Sequence, residues 1–401
     1  MWAGSRNIAA IMLKPVDTAQ FLGLNNVTDP VRLGLEWLTR ADNIDIDDTG
    51  MVSRRDGFTE HVAAAVTGAY ATIDTERMYY VAGGSLKTGD GVVLATGLAS
   101  DLMHWAEVND LVFYNNGTDR GVIRADNTLL TWEWDVPATP AVAAVTGSID
   151  PGLYRVCCTF VLADGRETGA SDPAEIELAA GQALQVSGVP QLAGARTRTY
   201  ICPANSTVFQ RAYGGASTSF TWDTSPDSLG VELATELARP IPRGATAIQE
   251  WGGRLYAAQY IPEHDMTALW RSLPLGWHLF NLDSDFDAIS GKVLMLAPHD
   301  SALVIGTDDA IYALTTDGLV TLANFGVVPG CPFAVDHESE GKPVYIWTVR
   351  GMCRYPEFAN LTKQVSVAPG VHAGAAVVHA GGQSRFVVSL HQGGIPFNSR
   401  S

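Results

Sequence analysis

The sequence is poor in cysteine. It has five cysteines, an odd number: Cys157, Cys158, Cys202, Cys331 and Cys353. Two of them are adjacent, and none forms a C-x-x-C pair. This pattern fits neither a disulfide framework nor a zinc site, and it is typical of small buried residues in a reducing compartment. We therefore expect free thiols and no structural metal.

Positive charge is also scarce. The chain has 26 Lys and Arg against 43 Asp and Glu, which gives a net charge of −17. A protein that reads a nucleic-acid sequence needs a basic surface to neutralise phosphates, so this composition argues against that class. Two interpretations stay open: an ordinary acidic soluble protein, or a surface past which DNA slides without binding.

Long apolar runs and catalytic motifs are missing as well. The N-terminal run from Ile8 to Leu13 is too short for a signal peptide, and no stretch approaches the roughly 18 apolar residues of a membrane helix. No G-x-S-x-G, phosphate-loop, G-x-G-x-x-G or H-E-x-x-H motif is present. We predict no membrane segment, no enzyme activity, no cofactor, and no catalytic, cofactor-binding or metal-binding residues.

The chain does contain many short apolar and aromatic runs separated by glycine turns, with 40 glycines and 20 prolines in all. Such runs predict β-strands and hairpins. Strand centres near residues 80, 113, 256, 304, 346 and 387 lie about 35–50 residues apart outside a central interruption, the period of four-stranded propeller blades. A meander or a stacked sandwich gives similar hairpins and is the alternative.

The interruption begins near Pro137 and ends near Pro240. Its strands are short, about seven in number, with turns every 8–12 residues or so, which is typical of an immunoglobulin-like sandwich. The pattern P-G-x-Y-x-V…D-G-x-E-[ST]-x-x-S over Pro151–Ser171 resembles a fibronectin type III module. We predict an all-β fold: a propeller-like body with an inserted fibronectin-like sandwich, divided as 1–137, 138–240 and 241–401.

A β-hairpin near the N-terminus is the most distinctive stretch. Alternation of Ile44 and Ile46 with polar residues predicts a half-buried strand, and the turn before the return strand contains a glycine. Alternation also predicts that Asp45, Asp47 and Asp48 are exposed. We call this stretch the clasp and assign it these residues: Asn43, Asp45, Asp48, Gly50, Arg54, Arg55, Asp56, Gly57 and Phe58. Residues 54–57 are predicted to form a second turn, with Phe58 as an apolar anchor.

Either the clasp or Ile8–Leu13 is expected to pair with the last blade, because such closure hides sheet edges.

One other feature suggests chemistry only weakly. Asp283, Asp285 and Asp287 resemble the start of a calcium loop, but Ala288 and Leu294 stand where an EF-hand needs Gly and Glu. A solvated turn is the preferred interpretation, with an irregular cation site as the alternative.

The clasp and the segment that precedes it carry a family resemblance. The order G-L-N-N…L-x-x-A-x-N-I-D-I-D-D-x-G-x-x-x-R-R-D-G-F-T, from Gly23 to Thr59, resembles the N-terminal signature of structural proteins from bacteriophage and prophage tails. The nearest group is the short-tail nozzle, or packaged-DNA-stabilising tail hub. The resemblance implies a virion protein, made in the bacterial cytoplasm, that forms a cyclic ring of copies, most simply a hexamer. It also implies portal or adaptor and tail proteins as neighbours, tail fibres as further partners, and packaged DNA passing without sequence-specific binding.

Two other functions are compatible with the same strands. One is a propeller that binds or cleaves carbohydrate and carries a fibronectin-like accessory module; Trp251, Trp270 and Trp277 would then contact glycan. Against it, the Asp-box order S-x-D-x-G-x-x-W is absent. The other is an interaction scaffold with neither role.

Overall fold

A computed structural model describes residues 20–47, 49–55, 57, 59–74, 76–380 and 383–392. Its regular structure is β-strand apart from three short 3₁₀ turns, each beginning with proline: Pro30–Arg32, Pro226–Ser228 and Pro262–His264. Proline suits this position because its φ is helical and its missing N–H would have no partner there. No helix in these ranges is long and apolar enough to cross a membrane. The predicted all-β class is confirmed.

The first described strands form two small pairs. Strands β1 (Gly23–Leu24) and β2 (Trp37–Leu38) pair in parallel. Strands β3 (Ile44–Ile46) and β4 (Val52–Arg54) form the predicted antiparallel hairpin, with Ile44 opposite Arg54 and Ile46 opposite Val52. The predicted strand at Ile8–Leu13 lies outside the described residues.

Two four-stranded antiparallel sheets follow. Sheet 1 contains β5 (Val66–Ala71), β6 (Met78–Ala82), β7 (Ser85–Thr88) and β8 (Val93–Thr96). Sheet 2 contains β9 (His104–Val108), β10 (Leu111–Asn115), β11 (Arg120–Ile123) and β12 (Leu129–Leu130). In both, strands that follow one another in the chain are hydrogen-bonded neighbours.

The segment between residues 141 and 222 forms two sheets of its own, which we call the module. Its seven strands are β13 (Ala141–Thr146), β14 (Gly152–Val161), β15 (Ala174–Leu178), β16 (Gln182–Ser187), β17 (Arg196–Cys202), β18 (Gln210–Gly214) and β19 (Ser219–Trp222). One sheet has the order β13-β16-β19 and the other the order β15-β14-β17-β18. Tyr154, Leu184, Ile201 and Trp222 from both sheets share one core.

Four further sheets complete the described chain. Sheet 3 contains β20 (Ala238–Arg239), β21 (Ala245–Trp251), β22 (Arg254–Ile261), β23 (Met266–Leu273), β24 (Gly276–Asn281) and β25 (Phe286–Ser290). Sheet 4 contains β26 (Val293–His299), β27 (Ala302–Thr307), β28 (Ile311–Thr315) and β29 (Gly318–Ala323). Strand β30 (Gly330–Cys331) belongs to sheet 6. Sheet 5 contains β31 (Phe333–Val335), β32 (Val344–Thr348), β33 (Gly351–Tyr355) and β34 (Ala359–Asn360). Sheet 6 joins β30 to β35 (His372–Ala380) and β36 (Gln383–His391).

The six predicted strand centres coincide with β6, β10, β22, β27, β32 and β36. In sheets 1, 2, 4 and 5 this is the second of four strands, and it lies inside the sheet with a neighbour on either side. Strand β27 shows why these strands were the easiest to find. Leu303 and Ile305 face one core cluster while Val304 faces the next, so both faces are buried and the sequence is continuously apolar.

The sheets pack face to face in chain order. Tyr79 of sheet 1 and Val112 of sheet 2 share a core, and Phe113 of sheet 2 shares the next core with Leu255 of sheet 3. Shared apolar clusters continue between sheets 3 and 4, between sheets 4 and 5, and between sheets 5 and 6. Each sheet therefore buries its apolar surface against its neighbours in the chain, and this burial is the main stabilising term.

Asn115 joins sheets 2 and 3 across the inserted module. Its side chain is fully buried, and its amide donates to the carbonyls of Ala245 at 2.7 Å and Thr246 at 2.8 Å. These carbonyls begin β21, 130 residues later in the chain. A buried carbonyl that loses its donor costs free energy, so Asn115 stabilises the junction that the insertion interrupts.

Replacing Asn115 with alanine should therefore lower the free energy of unfolding by about 2–3 kcal/mol, because one buried and one partly buried carbonyl lose their donor and a small cavity forms. Urea denaturation followed by circular dichroism measures the change. Exposed Thr207 provides the control, and its alanine variant should unfold like the wild type. Equal stability of the Asn115 variant and wild type would show that the junction does not depend on this amide.

Candidate functional site

The clasp hairpin is organised by a carboxylate in its turn. Asp47 Oδ1 accepts hydrogen bonds from the backbone N–H and hydroxyl of Thr49, at 2.9 and 2.6 Å, and from the N–H of Met51 at 2.9 Å. The hydroxyl of Thr49 and the N–H of Met51 lower the pKa of Asp47. Asp47 is exposed, as predicted, but its part in the turn was missed; the D-x-T order was the available signal.

Gly50 fixes the end of the same turn. Its φ is +79°, in the left-handed region that favours glycine. A Cβ at this position would lie 2.8 Å from the backbone N and O of Phe21. The Phe21 N–H donates to the Gly50 carbonyl at 2.9 Å, so the turn is packed against the chain that precedes β1. Both the turn and its need for glycine were correctly predicted.

Asp45 corrects one prediction. Alternation predicted an exposed acid, but the Asp45 side chain is only 19 % exposed and lies between two arginines. Arg55, which follows directly after β4, contacts it at 3.0 Å, and Arg385 of β36 contacts it at 2.8 Å. Alternation failed because this face of the hairpin meets sheet 6 rather than solvent. In the described residues the contact is made by side chains, and not by the strand pairing that was expected.

Asn26 makes a second connection between the two ends of the described chain. Its Nδ2 donates to the Ser366 carbonyl at 2.9 Å, and its Oδ1 accepts from the Ser366 N–H at 2.6 Å. Its own N–H donates to the Gln364 carbonyl at 3.1 Å. The amide thus pairs with Ser366 as a neighbouring strand would. Asn26 belongs to the G-L-N-N signature, but nothing in the sequence names a partner 340 residues away.

Three of the remaining clasp residues are described by the structure and three are not. Asn43 takes a left-handed φ of +55° and accepts the N–H of Arg55, whereas Arg54 and Gly57 are exposed. Asp48, Asp56 and Phe58 lie outside the described residues, so the second turn and the apolar anchor stay predictions. The structure therefore brings Asn43 and Asp45 of the predicted set to Arg55 and places Gly50 in the turn that Asp47 organises. It adds Asn26 and Arg385 as contacts between the two ends of the described chain.

The module is attached to sheet 3 through the signature that resembled fibronectin type III. Thr168 and Ser171 accept backbone N–H groups of β14, from Phe160 and Cys158, each at 3.0 Å. Between them, a Cβ on Gly169 would lie 1.7 Å from the Ala238 carbonyl of β20. This close approach admits only glycine, so the motif packs the module directly against the body.

An aromatic and charged cluster completes this attachment. The Arg166 guanidinium lies over the Trp134 ring at 5.8 Å and donates to the Thr131 carbonyl at 2.8 Å. His278 of β24 lies against the edge of Trp134, and its Nε2 is 3.3 Å from the Glu167 carbonyl. Burial, aided by Arg166, lowers the pKa of His278 to about 4.

Asp285, Asp287 and the three tryptophans considered for other functions are engaged within the body, whereas Asp283 is exposed, as a solvated turn predicts. Asp285 is ion-paired with Arg254 and Arg271, each at 2.8 Å, so it is neither a solvated residue nor a free cation ligand. No group of three or more metal-ligating side chains occurs among the described residues.

Trp251, Trp270 and Trp277 each donate their indole N–H to the protein itself: to the His299 carbonyl, to Gln259 and to the Gly253 carbonyl. In addition, Trp270 is buried, with only 9 % of its surface exposed, and it packs on Phe286. These three rings therefore contribute to packing rather than to an open stacking surface.

Gly50 and Gly57 give a matched pair for testing the clasp. Gly50→Ala should lower the free energy of unfolding by about 2 kcal/mol, because alanine is strained at this φ and its Cβ displaces Phe21. At Gly57 no atom lies within 4 Å of an added Cβ, and the same substitution should change stability by less than about 0.5 kcal/mol. Denaturation of both variants measures the difference, and equal losses would contradict the assigned role of Gly50.

The buried state of His278 predicts a pH effect. Between about pH 6.5, where an unfolded histidine binds a proton, and about pH 4, the unfolded chain holds more protons at this position than the folded one. Stability from this group is therefore full above pH 6.5 and falls as pH decreases through that window. His278→Gln should flatten the decline in urea midpoint over this range, whereas a His264→Gln control, at an exposed site, should not. Parallel curves for all three proteins would refute the effect.

No family model matches the chain. No curated protein matches it. Among solved structures, the crystal structure of the V. cholerae biofilm matrix protein Bap1 aligns with 72 % of this chain and 53 % of its own, at 11 % identity and a TM-score of 0.18. The chain thus spans about half the length of that protein, and at this score the likeness supports no argument about fold or function.

Proposed function

We propose that this protein is a structural subunit of a bacteriophage tail, part of a nozzle or hub ring that continues the portal channel and conducts packaged DNA. The observation that carries the proposal is the position of the signature residues. Asn26 and Asp45, which belong to the stretch that resembles tail proteins, tie the leading segment to the end of the described chain, and Gly50 of the same stretch packs the hairpin turn against Phe21. In this proposal the connection helps each subunit of the ring to resist mechanical load.

The arrangement of sheets supports a propeller-like body. Six sheets pack face to face in chain order, and one strand of each, β6, β10, β22, β27, β32 and β36, recurs with the period of blades outside the inserted module. In this proposal the clasp holds the leading segment on sheet 6 and so closes the body through side chains. The module would be a fibronectin-like insertion between the second and third blades, with residues 138–240 as its bounds.

Charge and attachment support the conduit role. A net charge of −17 on every copy would repel DNA from the ring, so packaged DNA could pass without sticking. The module packs on sheet 3 through Gly169 and the Trp134 cluster. A rigid attachment suits a docking surface for neighbouring portal, adaptor or fibre proteins in the virion.

Solution mass and electron microscopy of the same purified protein test this proposal. Analytical ultracentrifugation should give one ring-sized species, a hexamer in the simplest case, and micrographs should show a channel wide enough for duplex DNA. The ring should not retard linear DNA in gels at about 0.15 M salt, because its charge has the same sign as the phosphates. Rings that bind DNA tightly, or a monomer that binds glycans, would overturn the proposal.

A further inference from the structure

The four-stranded sheet of the module is polarised in charge across its outer face. Tyr154 and Ile201 point into the module core, so the residues that alternate with them point outward. On β15, at one edge of the sheet, the outward residues are Glu175 and Glu177. On β17 and β18, at the other edge, the outward residues include arginines. We call the first set the acidic edge and the second the basic groove.

The basic groove is lined by Arg196, Arg198 and Arg211 and encloses about 330 Å³. Gly214 lies opposite Arg198 in the strand register and, having no side chain, leaves the groove open. Arg198 is held by Glu167 at 2.5 Å. Arg196 and Arg211 are exposed, and neither forms an ion pair with any residue that the structure describes. Two guanidinium groups are therefore available to an anion, in a chain where acids greatly outnumber bases.

The acidic edge is equally available. Glu175 and Glu177 are exposed and take part in no ion pair within the described ranges. Arg155 lies opposite Glu175 in register, but it turns to the Phe209 ring at 5.3 Å and to Cys202 Sγ at 3.3 Å. The two carboxylates thus have no partner of their own in the sheet.

The two surfaces match in number as well as in sign. The acidic edge offers two carboxylates that have no ion pair among the described residues, Glu175 and Glu177, and the basic groove offers two guanidinium groups in the same state, Arg196 and Arg211. Guanidinium groups bind carboxylates through paired N–H donors, so two charge-assisted contacts can form at once.

We propose that the acidic edge of one copy binds the basic groove of the next copy. The inference deepens the proposed ring and rests on it. Because the two surfaces lie at opposite edges of one sheet, the contact is head-to-tail, the kind of interface that closes into a ring when the rotation permits. It also explains how chains of charge −17 associate: local complementarity offsets the repulsion between whole subunits.

Charge reversal on either side tests the contact in the full-length chain. The groove variant carries Arg196→Glu and Arg211→Glu, which leaves the Arg198–Glu167 pair intact. The edge variant carries Glu175→Arg and Glu177→Arg. Each variant alone should lose at least about tenfold in self-association, measured by sedimentation, because like charges then face each other. Mixing the two variants should restore assembly, since each supplies the charge that the other lacks.

Two controls make the result decisive. Lys342→Glu with Lys363→Glu changes the net charge as the groove variant does, at exposed lysines near sheet 5, and should assemble like the wild type. Circular dichroism and thermal melts establish that each variant is folded. Raising the salt from about 0.1 to about 0.5 M should weaken wild-type assembly, because screening acts on exposed charges.

The outcomes separate this contact from the proposed function. Variants that still form wild-type rings would overturn the contact and leave the conduit proposal standing. A wild-type chain that stays monomeric at every concentration tested would also overturn it. Restoration on mixing, seen as open filaments or dimers without a channel, would support the contact and contradict the conduit.

Discussion

The structure depends on one constraint: a linear series of packed sheets has a first and a last member, and something must hold the two ends. Each sheet here buries its apolar faces against its neighbours in the chain. The side chain of Asn26 pairs with the backbone of Ser366 like a neighbouring strand, and Asp45 binds Arg385 of the last hairpin. These are polar contacts of modest energy, but they join segments 340 residues apart and so restrain the whole series.

The fold could be predicted from the sequence wherever burial leaves a local pattern. The interior strands, such as β27, are apolar on both faces, and their centres were located correctly. The glycine turn at Gly50 was predictable because a left-handed φ restricts residue choice. The partners of Asn26 and Asp45 were not, since pairing across the length of the chain leaves no mark in either local sequence.

The module shows the same division. Its D-G-x-E-T-x-x-S signature was recognised in the sequence, and the structure explains it: Thr168 and Ser171 satisfy backbone donors of β14 while Gly169 allows contact with Ala238. Its charge polarity, in contrast, depends on which residues share a sheet face. That property follows from strand register, and the overall composition of the chain, which is acidic, does not reveal it.

Hydrogen–deuterium exchange of residues 364–391 tests most directly whether the clasp holds the two ends of the chain together. The Asn26→Ala, Asp45→Asn double variant removes the side-chain bonds to Ser366 and the ion pair with Arg385, and leaves the backbone bond from residue 26 to Gln364. An Asp42→Asn variant, at an exposed ion pair, serves as the control. We predict faster exchange in 364–391 for the double variant alone, with exchange in sheet 4 unchanged, because only the end sheet loses its tether. Equal exchange in all three proteins would contradict the account, since the last sheet would then be stable without the clasp.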